Sequence, residues 1–129
     1  MGGYRKNVRR TRFIRNKMKA KIKFEEFLEI ESKLEIKVGK ITSAERVPKS
    51  YGLKLTVDFG NEDVRSVFTN LGKTHEPENL VNLTVPFITN LEPSVIKGVN
   101  SEAMIMVGIG TEGQEQVGLD YVGIGTKLL

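Results

Sequence analysis

The chain has 129 residues, the size of one ordinary domain, and its 39% hydrophobic and 28% charged residues lie in the soluble globular range. No apolar run approaches the roughly 20 residues that a membrane span needs. The absence of cysteine excludes disulfides, thiolate metal sites and thiol nucleophiles, and we expect a cytoplasmic protein.

The net charge of +4 is unevenly distributed along the chain. The first 23 residues hold ten Lys and Arg residues and no acid, whereas the remaining 106 hold ten bases and sixteen acids, a net of −6. A single-sign run of this kind is typical of a solvated tail that binds a polyanion. We therefore predict a basic arm over residues 1–23, with Arg9, Arg10 and Arg12 among its phosphate contacts. The alternatives are that the arm only aids solubility, or that it is partly an artefact of cloning or of the assigned start, since Met18 could be an alternative initiator.

A helical pattern runs through the end of the arm. Ile14, Met18 and Ile22 recur at four-residue spacing, which predicts one apolar face of a helix. No acid within the arm supports this helix through ion pairs, so we expect it to form when it docks on something. Phe24 and Phe27 continue the turn, which we interpret as a plug for one end of the barrel that the following strands form.

Beyond Ser32 the hydrophobic period changes from 3.6 to 2, which predicts strands. Gly39 is expected to be a bulge in the first of them. A loop marked by Pro, Ser and Gly separates the first strand from the second, and a Gly-Asn turn joins the second to the third. The three predicted strands span residues 34–41, 53–59 and 64–69.

A polar stretch then interrupts the strands. Pro77 followed by Glu78 predicts a short helix that ends near Leu80. Two further strands are expected over residues 83–89 and 103–107. Three strands, a short helix and two strands is the order of an OB-fold, so we predict an all-β, five-stranded barrel over residues 24–129.

The tail contains the sequence Val-Gly-Ile-Gly-Thr twice, at residues 107–111 and 122–126. Two short copies do not make a solenoid. They predict a Gly-rich hairpin extension over about residues 107–129, whose apolar side chains need cover. We expect this extension to be the interface of a homodimer, and the alternative is that it packs on its own barrel.

Catalytic residues are scarce. His75 is the single histidine and lies in a polar segment, and no cluster has the spacing of a metal site. We therefore predict a protein that is not an enzyme and that uses no cofactor or metal.

OB barrels bind nucleic acid on the face of strands two and three and in the adjoining loops. This rule places Lys49, Tyr51, Lys54, Arg65 and the loop 90–102 around one groove. Tyr51 would stack on a base, and the basic side chains, with Lys97 of the loop, would contact phosphates.

The stretch 90–107 carries the most specific sequence pattern of the chain. Its marked positions are Asn90-Leu91, Pro93, Lys97-Gly98, Ser101-Glu102 and Met104. With these residues the stretch resembles the closing loop and last barrel strand of the tRNA-binding domain family, an OB-fold module that occurs alone or attached to aminoacyl-tRNA synthetases.

This resemblance implies a non-catalytic protein that recognises folded tRNA by shape and charge, is a homodimer, and serves as an accessory to an aminoacyl-tRNA synthetase. It also implies that Asn90, Ser101, Glu102 and Met104 contact RNA or shape the site. Two alternatives remain open. One is an export chaperone of the CsaA kind that binds peptides in the groove, and the other is a structural subunit that docks on a synthetase through the tail.

Overall fold

The structure is a computed structural model, and its described residues form two compact units that divide after Ile30. The described residues are 18–110, 113–119 and 121–128. Arg9, Arg10 and Arg12 of the basic arm therefore lie outside the described residues, as do the first 17 residues as a whole.

One helix, α1 (Phe24–Glu31), lies at the end of the first unit, and residues 18–23 before it are not helical. The helix predicted through Met18 and Ile22 is not formed in the isolated chain, and its formation on a docking partner stays a prediction; Ile14 lies outside the described residues. The helix begins at the first acidic residues of the chain. Glu25 and Glu26 occupy its first turn and interact favourably with the positive end of the helix dipole. The basic residues upstream would be repelled by that end. Whether α1 closes the barrel stays a prediction.

The second unit is a nearly closed antiparallel barrel. Its described strands are β1 (Ile36–Arg46), β2 (Leu53–Asp58), β3 (Val64–Thr69), β4 (Thr84–Ile88), β5 (Ser94–Ile96), β6 (Val99–Ser101), β7 (Met104–Ile105), β8 (Val107–Gly110), β9 (Gly113–Gln116) and β10 (Lys127–Leu128). Within the described residues the main sheet has the order β3-β2-β1-β4-β7, with β10 added on β1. The all-β, OB-type barrel expected from the strand order is confirmed.

Strand β1 is longer than predicted and bends around the core. Its register against β2 shifts between Ile41 and Ser43, so the bulge lies at Thr42 and not at Gly39. Gly39 instead pairs regularly with Val85. A Cβ on Gly39 would lie 2.6 Å from Val57 Cγ1, so the glycine makes room for core side chains. The bulge lets β1 pair with β4 in its first half and with β2 in its second, as a closed barrel requires.

The core lies inside the barrel. Alternate residues of β2, namely Leu53, Leu55 and Val57, are fully buried, and the rings of Phe59 and Phe87 meet edge to face at 5.3 Å between centroids. The helix predicted between the third and fourth strands is present as two single 3₁₀ turns, Leu71–Lys73 and Pro77–Asn79. Pro77 opens the second turn, as predicted.

The tail forms the hairpin β8–β9 and then returns to the barrel. Its β10 pairs with the beginning of β1, where Gly125 N–H donates to Val38 O at 2.7 Å and Val38 N–H donates to Thr126 O at 2.9 Å. Leu119 N–H donates to Thr84 O at 2.8 Å. Part of the tail therefore packs on its own barrel, the alternative that the sequence left open. Exposed apolar side chains remain along it, including Ile109 and Tyr121.

Candidate nucleic-acid interface

The outer face of β2 and β3 presents one exposed cation beside a half-buried aromatic ring. Lys54 lies directly opposite Phe68 in the β2–β3 register, and both point away from the core, because their neighbours Leu53 and Val67 are buried. The Phe68 ring also covers Gly52, where an added Cβ would lie 2.3 Å from ring atom Cε1. This contact joins the face of the two strands to the loop before β2.

That loop, residues 47–52, is held by its own hydrogen bonds. Val47 N–H donates to Gly52 O at 2.9 Å, and Ser50 Oγ donates to Val47 O and accepts from Gly52 N–H, both at 3.0 Å. Lys49 takes a positive φ of 61° and is exposed, and Tyr51 is 63% exposed. The loop therefore presents a cation and an aromatic ring to solvent from an ordered backbone.

Strands β5 and β6 form a hairpin with Lys97-Gly98 at its tip. Both residues have positive φ, 49° and 84°, which is the type I′ geometry that suits a two-residue hairpin. Every residue of β5 is exposed, with Val95 at 72%. Lys97 thus stands at the end of a projecting ribbon.

Ser101 and Glu102 fasten this hairpin to β3. Phe68 N–H donates to Ser101 Oγ at 3.0 Å, and Ser101 Oγ donates to Ala103 O at 3.2 Å. Glu102 N–H donates to Ser66 O at 2.9 Å, while Glu102 Oε2 accepts from Ser66 N–H at 3.1 Å. Ser66 Oγ also donates to Asn100 O. The described strands show no regular hydrogen-bond ladder between β3 and either β6 or β7. The hydrogen bonds of these side chains therefore close the barrel at this position.

Arg65 lies on the core side of β3, opposite in direction to Phe68, because it alternates with buried Val67 and Thr69. Its guanidinium donates from Nε and Nη2 to the two carboxylate oxygens of Asp63 at 2.9 and 3.1 Å. Nη1 donates to Thr89 O at 2.8 Å and to Glu102 O at 3.1 Å. The guanidinium carbon also lies 5.3 Å from the centroid of a phenylalanine ring in the core.

The structure therefore does not bring Arg65 into one groove with Lys54, contrary to the sequence-based placement. The physical reason is strand alternation: Lys54 and Phe68 share the outer face of the β2–β3 pair, whereas Arg65 follows the inner one. Its charge is neutralised by Asp63, whose pKa is lowered by the hydrogen bond from Arg65.

Asn90 ties the end of β4 to the segment before β1. Its Oδ1 accepts from Glu35 N–H and its Nδ2 donates to Lys33 O, both at 2.9 Å. Beside it, Thr89 Oγ1 donates to the Glu35 carboxylate at 2.7 Å, and this hydrogen bond lowers the pKa of Glu35. Asn90 is thus occupied by intramolecular bonds on both sides of its amide.

Met104 differs from these residues because it is 51% exposed, on β7 opposite Ile88. Its neighbours Ala103 and Ile105 are buried, as the predicted alternation of this strand requires. Met104 therefore offers an apolar contact at the surface.

The strand pairings place Tyr51 and the β5–β6 hairpin differently. The loop 47–52 leads into β2 at the carboxyl end of β3, where Leu53 pairs with Thr69. Four successive antiparallel pairings, β3–β2, β2–β1, β1–β4 and β4–β7, make β7 run parallel to β3, and the hairpin precedes β7 in the chain. Lys49, Tyr51 and Lys54 are thus grouped at one end of the barrel, whereas Arg65 and Asn90 belong to the other end, and the pairings do not bring Lys97 into the group.

One cation of this end was missed in the sequence. Lys73 Nζ lies 5.8 Å from the centroid of the Tyr51 ring. Lys73 lies in the polar stretch between the third and fourth strands, where the sequence predicted a short helix and no binding residue. No local pattern shows that this stretch packs beside the loop 47–52.

Within the part of the chain that the structure describes, no three His, Asp or Glu side chains are grouped so that they could hold a metal ion. No helix found there has the length and apolar character needed to cross a membrane.

Comparison with known proteins gives consistent matches. Residues 36–122 match the family model described as "Putative tRNA binding domain". A methionine–tRNA ligase of Methanococcoides burtonii is 43% identical over 89 residues, which are 68% of this chain and 12% of that protein. One from Helicobacter pylori is 41% identical over 93 residues, which are 70% of this chain and 14% of that protein. The chain thus spans only a small part of the length of these relatives.

Solved structures share the fold along their whole length. A MetRS-related protein from Pyrococcus horikoshii superposes with a TM-score of 0.74 and 27% identity, and the match covers 86% of this chain and 100% of the other. The chaperone CsaA of Bacillus anthracis gives a TM-score of 0.70 and 25% identity, over 85% of this chain and 100% of the other.

Proposed function

The chain belongs to the tRNA-binding domain family, and from this membership we propose that it binds folded tRNA by shape and charge and catalyses no reaction of its own. The observation that supports this most directly is the grouping of the exposed residues Lys49, Tyr51 and Lys54 at one end of an OB barrel. Cations that meet phosphates beside an exposed aromatic ring are the usual means by which such barrels bind nucleic acid.

The proposed contact residues fall into two groups. Lys49, Tyr51, Lys54, Lys97 and Met104 face solvent and would touch RNA. We assign positioning roles to the other four candidates of the barrel, because their polar atoms are engaged in intramolecular hydrogen bonds; these are Arg65, Asn90, Ser101 and Glu102. Arg9, Arg10 and Arg12 would add phosphate contacts from the arm.

A methionyl-tRNA synthetase is the proposed protein partner, because the matched relatives are named methionine–tRNA ligases. In this proposal the chain adds tRNA affinity to an enzyme that supplies the chemistry. A tRNA ligand also implies a cytoplasmic location. Homodimerisation through the exposed apolar side chains of the tail, Ile109 and Tyr121 among them, remains part of the proposal. Sedimentation equilibrium of the wild type and of an Ile109→Lys variant tests it, since a tail interface would dissociate in the variant.

The test of tRNA binding is an electrophoretic titration against total tRNA at several salt concentrations. If the arm neutralises about five phosphates, log K should fall with a slope of roughly −3.5 to −4.5 against log salt. Deletion of residues 1–17 removes seven of the ten bases of the arm and should flatten that slope. The proposal fails if the intact protein binds an unstructured oligonucleotide of equal length as tightly as folded tRNA.

A peptide-binding function is the second candidate, and two observations favour it. The CsaA chaperone shares the fold, and apolar side chains are exposed on the stretch 91–104, including Val95 and Met104. Binding of an unfolded peptide to apolar side chains would depend little on salt. The salt dependence of affinity therefore distinguishes the functions: peptide binding that persists at high salt, in a chain that does not bind tRNA, would favour the second candidate. Displacement of tRNA by a peptide at low salt would show that both ligands use one surface.

A further inference from the structure

Lys73 and Tyr51 are paired although they come from distant segments of the chain. The ammonium of Lys73 lies 5.8 Å from the ring centroid, within the range of a cation–π contact. Lys73 is exposed and Tyr51 is 63% exposed, so the pair is held together at the surface. The lysine approaches from one side of the ring.

The backbones beneath this pair are packed too closely to move independently. A Cβ added to Gly72 would lie 2.3 Å from Tyr51 O and 3.1 Å from Leu53 Cγ, so the 3₁₀ turn Leu71–Lys73 lies directly against the loop 47–52. Arg46 supports the turn from β1, where Nη1 donates to Gly72 O at 3.4 Å and Nη2 pairs with Glu76 at 2.9 Å. The backbones that carry the ring and the ammonium are therefore held side by side before any ligand arrives.

The charges next to the pair favour an anion. Three acids lie on the adjoining segments: Glu76 is paired with Arg46, Glu45 lies opposite Lys54 in the β1–β2 register, and Glu78 is exposed in the next 3₁₀ turn. Lys49 precedes Tyr51 in the same loop, and Lys54 follows on β2. A ligand that reaches Tyr51 thus meets cations on the loop, the turn and the strand.

We propose that Tyr51 and Lys73 form one subsite for an unpaired nucleotide of a folded RNA. The base stacks on the ring face opposite Lys73, and the ammonium binds the phosphate of the same or the next nucleotide. A ring with a cation on one face keeps its other face for a base, and stacking on an aromatic side chain tolerates any base. This inference rests on the proposed tRNA-binding function and adds Lys73 to its site.

The test measures tRNA affinity at four salt concentrations for the full chain and its variants. Tyr51→Ala should weaken binding by roughly 5-fold to 150-fold without changing the salt slope, because a stacking contact releases no counterion. Tyr51→Phe keeps the ring and should restore most of this loss. Lys73→Gln should weaken binding and reduce the steepness of the slope by about 0.7–0.9, which corresponds to one phosphate contact.

Lys33→Gln is the matched control, since Lys33 is also exposed but lies beside Asn90 at the other end of the barrel. The double variant Tyr51→Ala/Lys73→Gln should lose less than the sum of the single losses if the two side chains act on one nucleotide. Both residues are at the surface, so melting temperatures should match the wild type.

The subsite is refuted if Lys73→Gln has the same affinity and salt slope as Lys33→Gln, or if the two losses are strictly additive. In either case the wild type would still bind tRNA, and the proposed function would stand. A wild type that does not bind tRNA at all would refute the proposed function and the subsite together.

Discussion

Substitution of Ser101 by alanine distinguishes a structural role of the Ser-Glu pair from direct contact with RNA. Ser101 is only 8% exposed, and its hydroxyl accepts from Phe68 N–H at 3.0 Å and donates to Ala103 O at 3.2 Å. Removing the hydroxyl leaves a part-buried amide of β3 without its acceptor, which costs about 1–3 kcal/mol. In a domain of this size each kcal/mol lowers the melting temperature by roughly 4–8 °C.

The control is Ser94→Ala. Ser94 is the cross-strand neighbour of Ser101 in the β5–β6 hairpin, but it is exposed. Its substitution should change the free energy of unfolding by no more than about 0.5 kcal/mol. Urea unfolding and thermal melting measure both variants, and tRNA affinity is then compared at a temperature where both are folded.

The expected result is a less stable Ser101→Ala variant whose affinity for tRNA, once folded, stays close to that of Ser94→Ala. A variant with the wild-type melting temperature and a clear loss of affinity would show that Ser101 touches RNA, and the closure role assigned to it would be wrong.

Two further predictions concern the packing and the acid stability of the barrel. Gly72→Ala should destabilise the protein by about 1–3 kcal/mol, because its Cβ would meet Tyr51 O at 2.3 Å. A Cβ on Gly123 would lie 3.9 Å from Thr126 Oγ1, an ordinary contact, so Gly123→Ala should change stability little. Urea unfolding compares the two variants, and equal stabilities would contradict the close packing of the two loops. The pKa values of Glu35 and Asp63 are lowered in the folded protein, so their ionised carboxylates stabilise the fold. This stabilisation is fully present above the pKa of the unfolded carboxyl groups and is lost as the pH falls through the lower folded pKa values. The free energy of unfolding should therefore decline below about pH 5. Thr89→Val removes the hydrogen bond that is the largest cause of the Glu35 shift, and it should make this decline shallower; an unchanged pH profile would mean that the hydrogen bond is unimportant.

The strands were predictable where burial alternates along one face. In β2 the apolar residues Leu53, Leu55 and Val57 alternate with polar ones and are buried as expected, and β3 has its predicted bounds. The bulge was predicted at the wrong residue because a glycine in a strand occurs for two different reasons. It can accompany the extra residue of a β-bulge, or it can stand where a neighbouring side chain leaves no room for a Cβ. At Gly39 the need is space for Val57, and that contact is formed by a residue 18 positions later in the chain.

The candidate site was predictable only in part, for the same reason. Alternation along β3 is visible in the sequence, but a charged residue such as Arg65 is normally assigned to the outer face. Here Asp63 and two backbone carbonyl groups provide enough hydrogen bonds to hold it on the inner face. Lys73 was missed because its partner Tyr51 lies in another loop, and no periodic pattern in the sequence indicates that the two residues are close in space.

A sequence pattern shared by a family does not by itself distinguish residues that touch a ligand from residues that hold the site in shape. Ser101 and Glu102 form hydrogen bonds that close the barrel, and Asn90 holds the segment before β1, so a family would retain them even if RNA never reached them. Within the described barrel, exposed lysines lie at the other end, in the loop 47–52, on β2 and in the turn Leu71–Lys73. Residues 24–129 carry a net charge of −6, yet at physiological salt a charge acts over only about 8 Å. The local group of lysines, rather than the net charge of the body, therefore decides whether the barrel attracts tRNA.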